Sequence, residues 1–199
     1  THKISTFTGI KGYELLNGYD DIISDSVIKV PKNNSFVITY NGSLYNSQKI
    51  EPFLRVLKKI IVKYNKKLNI ELKFPGLAFD PIQLKRINKE MGEMINNTSI
   101  TNRISHEEVI KIQRNSHVML MISHEGIKGI PSSKLYEYIG LKKPVILYPN
   151  DHDIIEQTLN DTKLGIICNN ESEIENKLTI LIKNFINNNG NLFIKGDEI

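Results

Sequence analysis

Cysteine is nearly absent from this 199-residue chain, and the single one, Cys168, excludes an internal disulfide and any zinc site built from several cysteines. A reducing compartment fits that usage best. Long apolar runs are missing too: 117–122 and 144–148 are the longest, far short of the ~20 residues that span a bilayer. Residues 1–20 show no apolar signal-peptide core, and the chain starts at Thr1 rather than Met, as expected of a segment excised from a longer polypeptide. Nor is there a block of one charge sign. Lys and Arg number 26 against 22 Asp and Glu, a net +4 with His neutral. That balance suits an anionic ligand or a membrane surface, yet the lysines are spread along the chain. No internal repeat is evident, and the aromatic residues do not interleave with a basic stripe, which argues against nucleic acid as a partner.

What is present is an ordinary globular composition, 40% hydrophobic and 24% charged, in a length that suffices for one α/β domain with a real core and short flanks. From residue 36 onward, β-rich runs at 36–40, 70–74, 98–102, 117–122, 144–147 and 165–168 alternate with helix-period stretches at about 48–64, 81–94, 105–114, 133–140, 151–158 and 171–187. In the first helical stretch Ile50, Phe53, Leu54, Leu57, Ile60 and Ile61 recur at helical spacing opposite Arg55, Lys58, Lys59 and Lys63, as in a helix lying on a sheet. The alternation predicts an α/β, Rossmann-like, six-stranded parallel sheet covered by helices on both faces. Its ligand crevice is expected beyond the carboxyl ends of the strands. Residues 1–35, punctuated by Gly9, Gly12, Gly18 and Pro31, read as a lead-in or linker, 36–186 as the domain, and 187–199 as a tail.

Two turns after strands could carry chemistry. Asn41-Gly42-Ser43-Leu44-Tyr45 follows the first strand, with Lys49 expected in the first turn of the next helix; the glycine admits a ligand to the backbone and the lysine can neutralise phosphate. The alternative, in which Gly42 only makes the turn and Lys49 is a solvated charge, stands beside it. After the fourth strand comes a loop with Gly126, Gly129 and Pro131, then Ser132 or Ser133 as the cap of a helix whose free N–H groups favour an anion. Glu137, about one turn in, could accept hydrogen bonds from ribose hydroxyls; equally, Ser132 could be only a cap and Glu137 a solvated helical residue. Other candidates read as structure. Asp151-His152-Asp153 stands at a helix start, where Asp151 serves as a cap. His124-Glu125 lacks the second histidine of a zinc-protease helix, and Cys168 reads as a small buried hydrophobe.

The stretch from Pro131-Ser132-Ser133-Lys134-Leu135-Tyr136-Glu137-Tyr138 to Lys143-Pro144-Val145-Ile146 resembles the donor-site signature of GT-B glycosyltransferases of the "group 1" class, which are retaining enzymes that use nucleotide sugars. Three further matches stand in order. Asn17-Gly18-Tyr19-Asp20 looks like the family's entry into its C-terminal domain, Tyr40-Asn41-Gly42-Ser43-Leu44-Tyr45 with Lys49 like its glycine turn, and Ser105-His106-Glu107-Glu108-Val109 like one of its helix starts. The resemblance covers roughly residues 17–185 and implies the C-terminal, donor-binding half of a two-domain enzyme. It further implies an acceptor-binding N-terminal half in the same polypeptide, a nucleoside-diphosphate sugar as donor, and a lipid-linked or polysaccharide acceptor. The expected setting is bacterial surface polysaccharide assembly, cytoplasmic or peripheral at the inner face of the membrane.

On the same resemblance Lys49 stabilises the leaving diphosphate, and Gly42, Ser43, Arg103, Gly129, Ile130, Pro131, Ser132, Ser133, Lys134 and Glu137 bind the donor, with Glu137 on the ribose. No cofactor is implied, and no metal is required if lysine and helix dipole hold the diphosphate. This sequence departs from the family pattern at Gly129, where many relatives carry a glutamate, and at Ser43, where many carry an arginine. A non-catalytic nucleotide-sugar-binding module and a GT-B-type nucleotide-sugar epimerase are the competing expectations.

Overall fold

The structure is a computed structural model that describes residues 2–13, 18–19, 35–130 and 132–192. Six strands, β1 (Ser35–Thr39), β2 (Asn69–Phe74), β3 (Thr98–Ile100), β4 (Val118–Ile122), β5 (Val145–Tyr148) and β6 (Gly165–Ile167), form one sheet in the order β3-β2-β1-β4-β5-β6. Every neighbouring pair is parallel, so each connection crosses over, and the strand order reverses between β1 and β4. The helices are α1 (His2–Thr8), α2 (Glu51–Tyr64), α3 (Pro81–Met91), α4 (His106–Arg114), α5 (Ser133–Gly140), α6 (Ile154–Asp161) and α7 (Glu171–Asn187). The expected α/β architecture is the one found.

The two-sided sheet explains the sequence pattern. β4 reads Val-Met-Leu-Met-Ile and is buried throughout, as a strand covered on both faces must be. Val118, Leu120 and Ile122 pack with Phe36 and Ile38 of β1 against Phe53, Leu57 and Ile60 of α2 and Leu178 and Ile182 of α7. Met119 and Met121 point the other way, to Leu135 and Tyr138 of α5 and Ile155 and Leu159 of α6. The seam between β1 and β4 is short: only Ile38 with Val118 and Thr39 with Met119 are in register, supported by a 2.6 Å hydrogen bond between the Thr39 and Ser116 hydroxyls.

Element bounds shift from expectation where side chains intervene. α2 starts at Glu51, not residue 48, because Gln48 is used in the preceding loop. α6 starts at Ile154, not 151: Asp151 reaches forward to accept from the N–H groups of Ile155 and Glu156, both at 2.9 Å. The lead-in contains a helix, α1, that the glycine punctuation did not suggest. Tyr19 lies against α5, so close that a Cβ on Gly140 would meet its ring at 2.6 Å; Asn17 and Asp20 of the same motif lie outside the described residues. α7 ends where expected, and 193–199 are also outside them. No helix among the described residues is long and apolar enough to cross a membrane.

At the opposite end of the sheet from the crevice, His117 is buried between Phe36 (ring centroids 5.6 Å) and Phe185 (4.6 Å). Its Nδ1 accepts from Val37 N–H at 2.9 Å, while Nε2 has no partner. Burial, with the charges of Lys143 and Lys73, lowers its pKa from 6.5 to about 4. The unfolded chain therefore binds the proton first as pH falls. The stability associated with neutral His117 is complete above the unfolded value and lost as pH drops toward 4, by up to about 3 kcal/mol. Urea denaturation from pH 8 to 4 should show this fall, flattened in His117→Asn; an equal slope in the variant would assign the fall elsewhere.

Candidate functional site

Where β1 and β4 end and their chains diverge, a cleft of about 380 Å³ opens. This is the switch-point crevice expected of an open parallel sheet. Asn41, Gly42, Ser43, Tyr45 and Gln48 from the loop after β1 form one wall; His124 and the start of α5, with Ile130, Ser132, Ser133, Lys134 and Glu137, form the other.

The first wall is built on buried polar groups. Gly42 takes a left-handed conformation at φ +79°, which glycine adopts without steric cost. The buried Gln48 side chain then ties the loop down: its Oε1 accepts from Tyr45 N–H at 3.0 Å and lies 3.1 Å from the Tyr40 hydroxyl, and its Nε2 donates to Ile122 O at 2.6 Å. From α3, Arg86 donates to Tyr45 O at 3.2 Å and Gln48 O at 3.0 Å while paired with Glu51 at 2.8 Å. Across the opening, Glu125 N–H donates to Ser47 O at 2.8 Å.

Lys134, the second residue of α5, sends its side chain back toward the loop after β1, the direction helical side chains take. Its Nζ donates to the Tyr40 hydroxyl at 3.1 Å and Ser43 O at 3.2 Å and stands 4.2 Å from the centre of the Tyr40 ring. Among the described residues no carboxylate forms an ion pair with it. Burial lowers its pKa to about 8, against an opposing effect of the Glu137 charge. Glu137 lies at the rim: one oxygen accepts from the Gln113 amide at 3.0 Å and from the Asn41 amide at 3.4 Å, and the other is 3.3 Å from His106 Nε2. Tyr138, on the turn behind, accepts from Asn41 N–H at 3.0 Å. The arrangement offers an unneutralised cation on one side, a carboxylate one helical turn away, and a helix N-terminus that no side chain caps.

Gly42, Ser43, Ile130, Ser132, Ser133, Lys134 and Glu137 thus come together at the cleft. Three expected site residues do not line it. Lys49 precedes α2 instead of lying in its first turn and is solvent-exposed. Arg103, after β3, stacks its guanidinium 4.2 Å over the exposed Phe79 ring. Gly129, at φ +73°, gives its N–H to the Asp153 carboxylate. Pro131 lies outside the described residues. Ser132 occupies the N-cap position of α5, but its side chain makes no capping hydrogen bond. Tyr40, Gln48, Arg86 and His124 were not expected at the site. His124, directly beyond a strand end, was the one whose position signalled a role.

No family model matches the chain, and no curated protein matches it by sequence. Solved structures do resemble it. A glycosyltransferase from Rickettsia africae aligns over 85% of this chain and 46% of its own length, at 15% identity and a TM-score of 0.61. The C-terminal domain of a group 1 family glycosyl transferase from Francisella tularensis aligns over 74% of this chain and 75% of its own, at 17% identity and a TM-score of 0.55. A UDP-GlcNAc 2-epimerase from Neisseria meningitidis, bound to UDP-GlcNAc, aligns over 81% and 40%, at 16% identity and a TM-score of 0.56. The alignments therefore cover less than half of the Rickettsia and Neisseria proteins, and this chain spans about half their length. The likeness is one of fold: the chain has the Rossmann-like α/β architecture of the C-terminal half of GT-B proteins.

Proposed function

We propose that this chain is the donor-binding half of a glycosyltransferase that uses a nucleoside-diphosphate sugar. The observation that carries the proposal is the Lys134 ammonium, half-buried at the switch-point cleft one helical turn from Glu137, with no carboxylate ion-paired to it among the described residues. A cation drawn out of water without an ion pair is costly unless an anion completes it. In this reading Lys134 and the N-terminal N–H groups of α5 meet the diphosphate, taking the part that the resemblance gave to Lys49, and Glu137 accepts from the ribose hydroxyls. Charge that develops on the leaving diphosphate, as the anomeric C–O bond breaks and the acceptor oxygen bonds to that carbon and gives up its proton to the departing diphosphate, meets donors already in place. A second half of the polypeptide would bind the acceptor, a lipid-linked sugar or polysaccharide in bacterial surface polysaccharide assembly at the inner face of the membrane. Retention of configuration and independence from metal belong to the same proposal.

A second reading, a non-catalytic nucleotide-sugar-binding module, has specific support in Gly129 and Ser43, which leave out charged groups of the family pattern; a nucleotide-sugar epimerase of the same architecture is the third. Both use the same cleft and ligand class. Calorimetric titration with UDP, GDP, ADP and dTDP tests the shared claim, and Glu137→Gln should weaken the tightest of them by about 1–3 kcal/mol through loss of charge-assisted hydrogen bonds. Unchanged affinity would remove Glu137 from the site. Release of nucleoside diphosphate from a nucleotide sugar by the two-domain protein separates transferase from binding module.

A further inference from the structure

Behind the cleft wall, His124, which lines it, belongs to a second polar pair whose geometry neither the donor signature nor Lys134 accounts for. Ser47 Oγ lies 2.7 Å from His124 Nδ1, joining the loop after β1 to the loop after β4. The same loops are joined by the backbone bond from Glu125 to Ser47, so the hydroxyl stands at a fixed place relative to the ring. The Tyr45 ring flanks the imidazole at 5.6 Å between centroids. With Nδ1 occupied by Ser47, the nitrogen left for a ligand is Nε2, which has no hydrogen-bond partner among the described residues, on a side chain that lines the cleft with Ser43 and Lys134.

Charge gives this nitrogen its significance. Among the described lining residues, Lys134 and His124 are the ones that can carry positive charge. Lys49 and Arg103 both lie outside the cleft, so a single lysine faces a diphosphate carrying more than one negative charge. When the Ser47 hydroxyl donates to Nδ1, the ring's hydrogen is on Nε2; when the ring is protonated, both nitrogens donate and Ser47 accepts. In either state Nε2–H is a donor, and an anion favours both over the remaining tautomer.

Resting on the nucleotide reading of the cleft, we infer that His124 Nε2 is a second phosphoryl-oxygen ligand facing Lys134, and that Ser47 is the residue that positions it. The ligand class is the diphosphate of the donor, and the expected signature is phosphate-specific.

The test is titration calorimetry of the whole chain with UDP, GDP, ADP and dTDP and with the four corresponding nucleosides, with melting temperatures measured for every variant. His124→Ala should lose about tenfold in affinity for the diphosphate and leave nucleoside affinity unchanged. His124→Gln, which retains an N–H donor, should recover part of the loss. Ser47→Ala should lose about threefold on the diphosphate alone, and Ser47→Thr, which keeps the hydroxyl, should restore it. Full diphosphate affinity in His124→Ala, or equal losses for diphosphate and nucleoside, would overturn the inference and leave the nucleotide reading standing. Binding of no nucleoside diphosphate by the unaltered chain would overturn both.

Discussion

Lys134→Met is expected to make the chain more stable and nearly unable to bind a nucleoside diphosphate. Burial lowers the Lys134 pKa from 10.5 to about 8. At neutral pH the folded state thus carries a charge it holds less readily than the unfolded chain does. Discounted for the half-buried position of the residue, the strain is about 1–3 kcal/mol, and methionine, of similar shape, relieves it. The sign with pH follows: the unfolded chain binds more protons between about 8 and 10.5, so stability of the unaltered chain rises through that window. The gap between variant and parent should be widest below pH 8 and close above 10.5. In binding, loss of the one lysine among the described lining residues should weaken a diphosphate by about 1.5–3 kcal/mol, roughly 10- to 150-fold, whereas exposed Lys49→Ala should change little. Urea denaturation and calorimetry decide it. A less stable methionine variant, or one that binds as tightly as its parent, would refute the account of Lys134.

Gln48→Leu should have the opposite signature, a large loss of stability from a buried amide in the wall of the cleft. Its amide serves Tyr45 N–H and Ile122 O, and leucine leaves both without that partner. Each such group costs about 1–3 kcal/mol, so the variant should lose about 2–5 kcal/mol in urea denaturation. Because Gln48 shapes the wall that carries Gly42 and Ser43, nucleoside and diphosphate affinities should fall together. A loss below about 0.5 kcal/mol, the range of ordinary surface substitutions, would mean that the loop is held by Tyr40 and Arg86 without it.

The fold was legible in the sequence because a parallel sheet buried on both faces leaves strong marks. β4 is an uninterrupted apolar run, and α7 begins where Asn170 can accept from Glu173 N–H. Helix starts were misplaced where a polar side chain works ahead of its helix, as Gln48 and Asp151 do. The site was legible as a region and less so residue by residue. Lys49 lies seven residues after Gly42 in the chain, yet the loop carries it to the surface. Lys134 is 92 residues away and reaches Ser43 because a side chain in a first helical turn leans toward the helix N-terminus. The anchoring of Arg86 on two loop carbonyls and the pairing of Ser47 with His124 connect distant segments, and such contacts have no local periodicity to announce them.

The short seam between β1 and β4 bears on descent. The walls of the cleft are the loop after β1 and, beyond β4, a loop with the start of α5, so the letters of the loops can drift while the strands beneath keep their spacing and burial. A lineage can then exchange an arginine for Ser43 or a glutamate for Gly129 without renegotiating its core. Chains that agree at only 15–17% of positions can still share one shape, because a fold leaves the residues at its sites free to differ.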